Sequence, residues 1–132
     1  MNIHFEKFTA VSVSVILIAV SVVGCAEMRN HPKLAVKEVM EQGFKGDQSM
    51  IKRVLSGQGS SADHQLLVSL TRELTLNTPS RGESTSWHDK TAALYAAAQS
   101  VATGQAGGMD SLKAAANCKA CHSAHKPESS TK

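Results

Sequence analysis

The chain has 132 residues, 42% of them hydrophobic and only 4% aromatic, with three cysteines and a formal charge of +3. That length allows one small domain once an N-terminal leader is set aside. The charge is modest and no basic block is present, so nucleic acid is not an expected partner.

Residues 1–25 read as an export signal. Lys7 supplies a short, weakly charged start, and Val11 to Val23 form a nearly unbroken apolar run. A charged start, an apolar centre and a small residue before the cut are the marks of a secretory leader. The last four residues, Val22-Val23-Gly24-Cys25, resemble a bacterial lipobox, in which the cysteine is lipidated and becomes the first mature residue. The competing reading is an uncleaved anchor, since residues 9–26 are just long enough to span a bilayer. Cys25 directly after Gly24 favours lipidation. Either way the domain is expected on the periplasmic side, held to the membrane.

Residues 26–32 read as a tether, and Pro32 suits a first helical turn. A first helix is expected over 33–56, where Val36, Met40 and Phe44 recur at i, i+4 and i+8. Gly43 and Gly46 weaken it in the middle, permitting a kink near Gly46-Asp47 or the close approach of a flat ligand. Gly57 to Ser60 is a turn, and Ser61 can cap a second helix with Leu66, Leu67, Leu70 and Leu74 on one face. Thr78-Pro79 ends it. Ser84 or Ser86 can cap a third, Ala-rich helix whose buried side is Trp87, Leu94, Tyr95, Ala98 and Val101, with Gly104 at its end. After Gly107-Gly108, Asp110 can cap a fourth helix running through Leu112, Ala115 and Ala116 to about Lys126. Pro127 stops it, and residues 127–132 read as a frayed tail. Four helices joined by short loops predict an all-α antiparallel four-helix bundle over residues 33–126.

The fourth helix ends in Cys118-Lys119-Ala120-Cys121-His122, the C-x-x-C-H attachment signature of a c-type haem. Each thiol can add across a haem vinyl group, and the adjacent imidazole becomes the proximal iron ligand. On a helix the three side chains share one side. Two other readings compete. Zinc would need a fourth ligand, and only His125 is near enough, in a cramped tetrahedron. A redox dithiol would need a βαβ setting, and no strand-like alternation precedes the motif. The expected cofactor is therefore one covalent haem c. A buried porphyrin would also supply the bulk that a core of Ala, Val and Leu lacks, since Phe44, Trp87 and Tyr95 are the only aromatics after the leader.

This motif at the end of four helices resembles the class II cytochromes c, that is cytochrome c-prime and its low-spin relative cytochrome c-556. The resemblance spans about 33–126 and is strongest at Cys118, Cys121 and His122. Lys126 stands where the family usually has an arginine. Trp87 matches an aromatic residue found at the start of the third helix, near the haem edge. Val39-Met40 matches the Leu-Met pair of the low-spin branch, whose methionine is the sixth iron ligand. The family's usual arginine on helix one is absent, and Phe44 brings bulk one turn beyond Met40.

The resemblance implies electron transfer: His122 and Met40 would close both axial positions, so the iron could change oxidation state without changing ligands. Val36, Phe44, Trp87 and Lys126 would be haem contacts. Helical spacing by itself favours Met40 as core packing, and the iron would then be five-coordinate, with Val36, Met40 and Phe44 forming an apolar pocket for nitric oxide or carbon monoxide. Met50 is the fallback ligand. His125 reads as a surface residue. Peroxidase-like chemistry would want distal acid–base groups, none stands out on helix one, and the chain is not expected to be an enzyme. Expected partners are other redox proteins in transient contact, the membrane through Cys25, and, from the family's habit of pairing through the first two helices, a second copy of the chain.

Overall fold

The computed structural model describes residues 31–128. All regular structure in this range is helical. It comprises α1 (Val36–Val39), which runs on into a π turn (Met40–Phe44), then α2 (Met50–Leu55), α3 (Ser61–Leu76), α4 (Ser84–Ala102), α5 (Gly108–Ala115) and α6 (Cys118–His125). The fold class is all-α. The leader, Cys25, residues 26–30 of the tether and residues 129–132 of the tail lie outside the described residues.

Two of the expected helices are broken. The first stops at Lys45, which is extended at φ −89° and ψ 135°. Gly46 then takes φ 95°, a left-handed conformation that costs glycine little. The chain becomes helical again at Met50, so the interruption falls where the Gly46-Asp47 kink was expected. The fourth breaks at Ala116 and Asn117. Asn117 starts a new helix there by accepting a hydrogen bond from the Ala120 N–H at 3.0 Å.

The expected starts also move. Pro32 does not open a helix, and the first turn waits until Val36. The reason lies on α3. Buried Glu73 accepts the backbone N–H groups of Lys33 and Leu34 at 2.6 and 3.3 Å. Asn77 donates its amide to the Leu34 carbonyl at 2.9 Å. The lead-in is thus strapped along α3, with its polar groups taken by side chains. Ser60, one residue before the expected cap, caps α3 in a reciprocal box with Asp63. Neither Ser84 nor Ser86 caps α4, which follows Glu83. Gly107 rather than Asp110 precedes α5.

The longest packing runs between α3 and α4 and between α4 and α5. The α1 segment and α2 lie on α3, α2 reaches α5, and α6 rests on α4. The core is Val39, Met50, Ile51, Val54, Leu67, Leu70, Leu74, Trp87, Ala97, Ala98 and Leu112. Leu66 falls off this face and is 40% exposed. The centre is thus mostly aliphatic, with Trp87 as the aromatic residue among these side chains. A Cβ at Gly43 would lie 2.5 Å from Leu70 Cδ1 and 2.9 Å from Met50 Cε. The bare backbone admits these two side chains, not the flat ligand that its lack of a side chain also allowed for.

Gly43→Ala should therefore overpack the core. Leu70 is buried and cannot swing away, so a net loss of roughly 1–2 kcal/mol is expected after the gain in helix propensity. Chemical denaturation with an unchanged m-value checks it. A pH dependence follows from the α3 cap. The Arg53 guanidinium, and then the Ser60 backbone N–H, hold the Asp63 carboxyl at about 2, against an ordinary 3.8. The folded value is depressed, so this contribution is complete above about pH 4 and is lost as pH falls through 2. Asp63→Asn should have a lower Tm than wild type at neutral pH, and the gap should shrink across that acid window, as read by circular dichroism.

Candidate functional site

The motif occupies the first five residues of α6. Successive residues turn by about 100° on a helix, so Cys121, His125, Cys118 and His122 fall in that angular order within a single arc of about 100°. The first two of these are the more buried and the last two face solvent. His125 is 4% exposed, Cys121 is half-buried, and Cys118 and His122 are exposed. The inner edge of the arc faces α4, and the outer edge presents one thiol and one imidazole to solvent.

Both thiols are unpaired. Cys118 has only a long contact to the Ala116 carbonyl, 3.5 Å from its Sγ. Burial pushes the Cys121 thiol above its ordinary range, the Lys90 ammonium on α4 opposes that shift, and Cys118 adds to it. Cys118 is thus the more accessible nucleophile of the pair. Between them, α4 and α5 leave an open groove of 450 Å³, lined by Ala93, Ala96, Ala97, Ser100, Ser111, Ala114 and Ala115. Its α5 wall ends one turn before Cys118 along the chain.

His125 overturns its reading as a surface residue. Its Nδ1 lies 3.0 Å from the Arg81 carbonyl, which can only accept, so Nδ1 carries a proton. Its Nε2 lies 3.2 Å from Ser86 Oγ. Lys90 Nζ donates to that same oxygen at 2.8 Å, which leaves the serine hydrogen for Nε2. The ring also meets Trp87 edge to face, with centroids 5.5 Å apart. One signal for this was present in the sequence: His125 lies one turn beyond Cys121 and must share its inward side.

Arg81 and Gly82 complete the clamp. The Arg81 guanidinium donates to the Ser123 carbonyl at 2.7 Å and to Glu128 at 3.0 Å. Gly82 has φ 82°, and a Cβ there would lie 2.6 Å from the Ala124 carbonyl oxygen and 2.9 Å from His125 Nδ1. Only glycine fits both the conformation and the space.

The remaining expected residues are dispersed. Trp87 is 4% exposed, and its indole N–H is shared between the Leu74 and Asn77 carbonyls at 3.2 and 2.8 Å. It closes the end of α3 and stands between that end and His125. Val36, Met40 and Phe44 are half-buried and pack on the core's flank, beside the inward line of Val39 and Gly43. Met40 opens the π turn, a local widening that recurs at functional positions. Met50 is buried against Gly43 and belongs to the core. Lys126 is exposed just past α6, with its backbone N–H on the His122 carbonyl at 3.1 Å.

Zinc would need His125, whose nitrogens are both engaged in the clamp. No group of three or more His, Cys, Asp or Glu suited to a metal occurs among the described residues. A dithiol of the βαβ type would need strands, and the described residues contain none. No protein-family model, no curated protein and no solved structure matches the chain.

Proposed function

We propose that the chain is a c-type cytochrome that carries single electrons between redox partners on the periplasmic side of the cytoplasmic membrane. The observation that carries this is the pair of unpaired thiols with an adjacent, solvent-facing imidazole on one short helix. Cys118 and Cys121 would each hold the cofactor through a thioether, and His122 would bind the iron from its proximal side. When bound, the haem supplies an iron that gains and loses one electron. The donor set suits it: the three groups lie at i, i+3 and i+4, and the outer two are open to an incoming ring.

In this reading the architecture is a four-helix bundle whose first and fourth members are each interrupted. Met40 would hold the iron together with His122, with Val36 and Phe44 one turn to either side of it. Trp87 and Lys126 would be further haem contacts. Export rests on the apolar leader, and attachment to the membrane rests on lipidation of Cys25.

A five-coordinate iron that binds nitric oxide or carbon monoxide is the alternative. It is favoured by one observation. Met40 packs on the core's flank in a segment that lies on α2 and α3, while α6 lies on α4.

Covalent attachment is tested by Cys118→Ser/Cys121→Ser. The double variant should lose all haem staining on a denaturing gel, whereas wild type, coexpressed with a haem-attachment system, should stain. Met40→Ala separates the two functions. If Met40 binds iron, wild type is low-spin with a far-red sulfur-to-iron band. The variant then loses that band, turns high-spin, drops in potential and admits carbon monoxide. If Met40 only packs, wild type already binds carbon monoxide, and the variant mainly loses stability, by about 2 kcal/mol for a half-buried side chain.

A further inference from the structure

His122 and Cys118 are the exposed members of an arc whose facing is set by the rotation of α6. A turn of α6 by about a third would put His122 against α4 and bring Cys121 out. Something must hold that rotation. Helix α6 is short, packs on α4, and is disconnected from α5 by the break at Ala116 and Asn117. A helix this short has little stability of its own.

The side chain that fixes it is His125. It is buried and spent in both directions: it donates from Nδ1 to the Arg81 carbonyl and accepts at Nε2 from Ser86, whose oxygen accepts in turn from Lys90. Its ring is braced edge-on by Trp87. Two directional bonds and one aromatic contact define the rotation of a helix in a way that aliphatic packing does not. Ser86 and Trp87 are neighbours in the first turn of α4, and Arg81 lies in the loop before it, so the imidazole is gripped from one side along its full length.

We propose that His125 is the positioning residue of the motif. Pinned to Arg81 and Ser86, it sets the rotation of α6 that keeps His122 and Cys118 facing outward for the iron and the first thioether, and turns Cys121 toward α4. Its purpose rests on the haem reading, but the pin itself can be tested in the full chain without haem.

The first arm measures alkylation of each cysteine under reducing conditions, resolved by peptide mass spectrometry. In wild type Cys118 should react faster than Cys121. His125→Phe keeps the ring's bulk and removes both hydrogen bonds. It should speed Cys121 by about tenfold, the scale of one or two lost hydrogen bonds, and bring its rate toward that of Cys118. Ser86→Ala should act in the same direction, and Ser86→Thr, which keeps the hydroxyl, should restore the wild-type rate. This pair keeps the test alive if His125→Phe folds poorly. Backbone amide exchange in α3 is the control: a purely structural role would loosen α3 as well, whereas positioning leaves it protected. An unchanged Cys121 rate in both His125→Phe and Ser86→Ala overturns the proposal, as does a rise matched by equal loosening of α3.

The second arm uses the haem-loaded chain. His125→Phe and Ser86→Ala should shift the ferric electron paramagnetic resonance signature of the iron bound by His122, and Ser86→Thr should leave it in place. A signature untouched by either variant overturns the link to His122. If wild type carries no covalent haem while the alkylation pattern holds, the haem reading falls and the pin on α6 stands.

Discussion

The indole of Trp87 joins three helices at one end of the molecule. Its N–H closes the last carbonyls of α3, its backbone belongs to the first turn of α4, and its ring faces His125 of α6. Helix ends leave carbonyls without partners, and a buried end needs a donor brought from elsewhere in the chain. Trp87 supplies that donor while filling space, which few side chains can do. The placement of α6 then follows. It docks where the end of α3 is already sealed, against a ring set nearly perpendicular to the imidazole.

At the same end, polar side chains do work that apolar packing does in the middle. Glu73 and Asn77 strap the incoming chain to α3, and Arg81, Ser86 and Lys90 grip α6. In the interior, by contrast, Leu67, Leu70, Leu112, Val39 and Val54 are fully or almost fully buried. Hydrophobic contact is non-directional, so it can hold helices together without fixing how each is rotated. The directional bonds gather where rotation matters, beside the residues proposed to hold the cofactor.

Much of the helical order was legible, because its signals are local. The 3.6-residue spacing of Leu67, Leu70 and Leu74 marks α3, and Pro79 and Gly104 follow the ends of α3 and α4 as helix-stopping residues should. The missed starts have a common cause. Caps were sought on the nearest serine or aspartate, but Ser86 is used by His125 and Asp110 lies inside its helix. Pro32 failed as a helix start because Glu73, some forty residues away, took the N–H groups of the following turn. His125 differs for a similar reason: its place one turn beyond Cys121 hints at an inward side, but the partners that bury it, Arg81 and Ser86, lie about forty residues away.

By itself the sequence determined the helical class, the approximate spans, and the side-chain types and spacing of residues 118–122, since these do not depend on what lies nearby in space. The tertiary structure alone decided that the interior is mostly aliphatic, that Met50 and Gly43 meet there, and that the motif stands on a separate short helix. It also decided which members of that helix face water. Those outcomes depend on contacts between residues distant along the chain: Trp87 with Leu74 and Asn77, His125 with Arg81 and Ser86. No spacing within one segment encodes such pairs, because each forms only once the helices have packed.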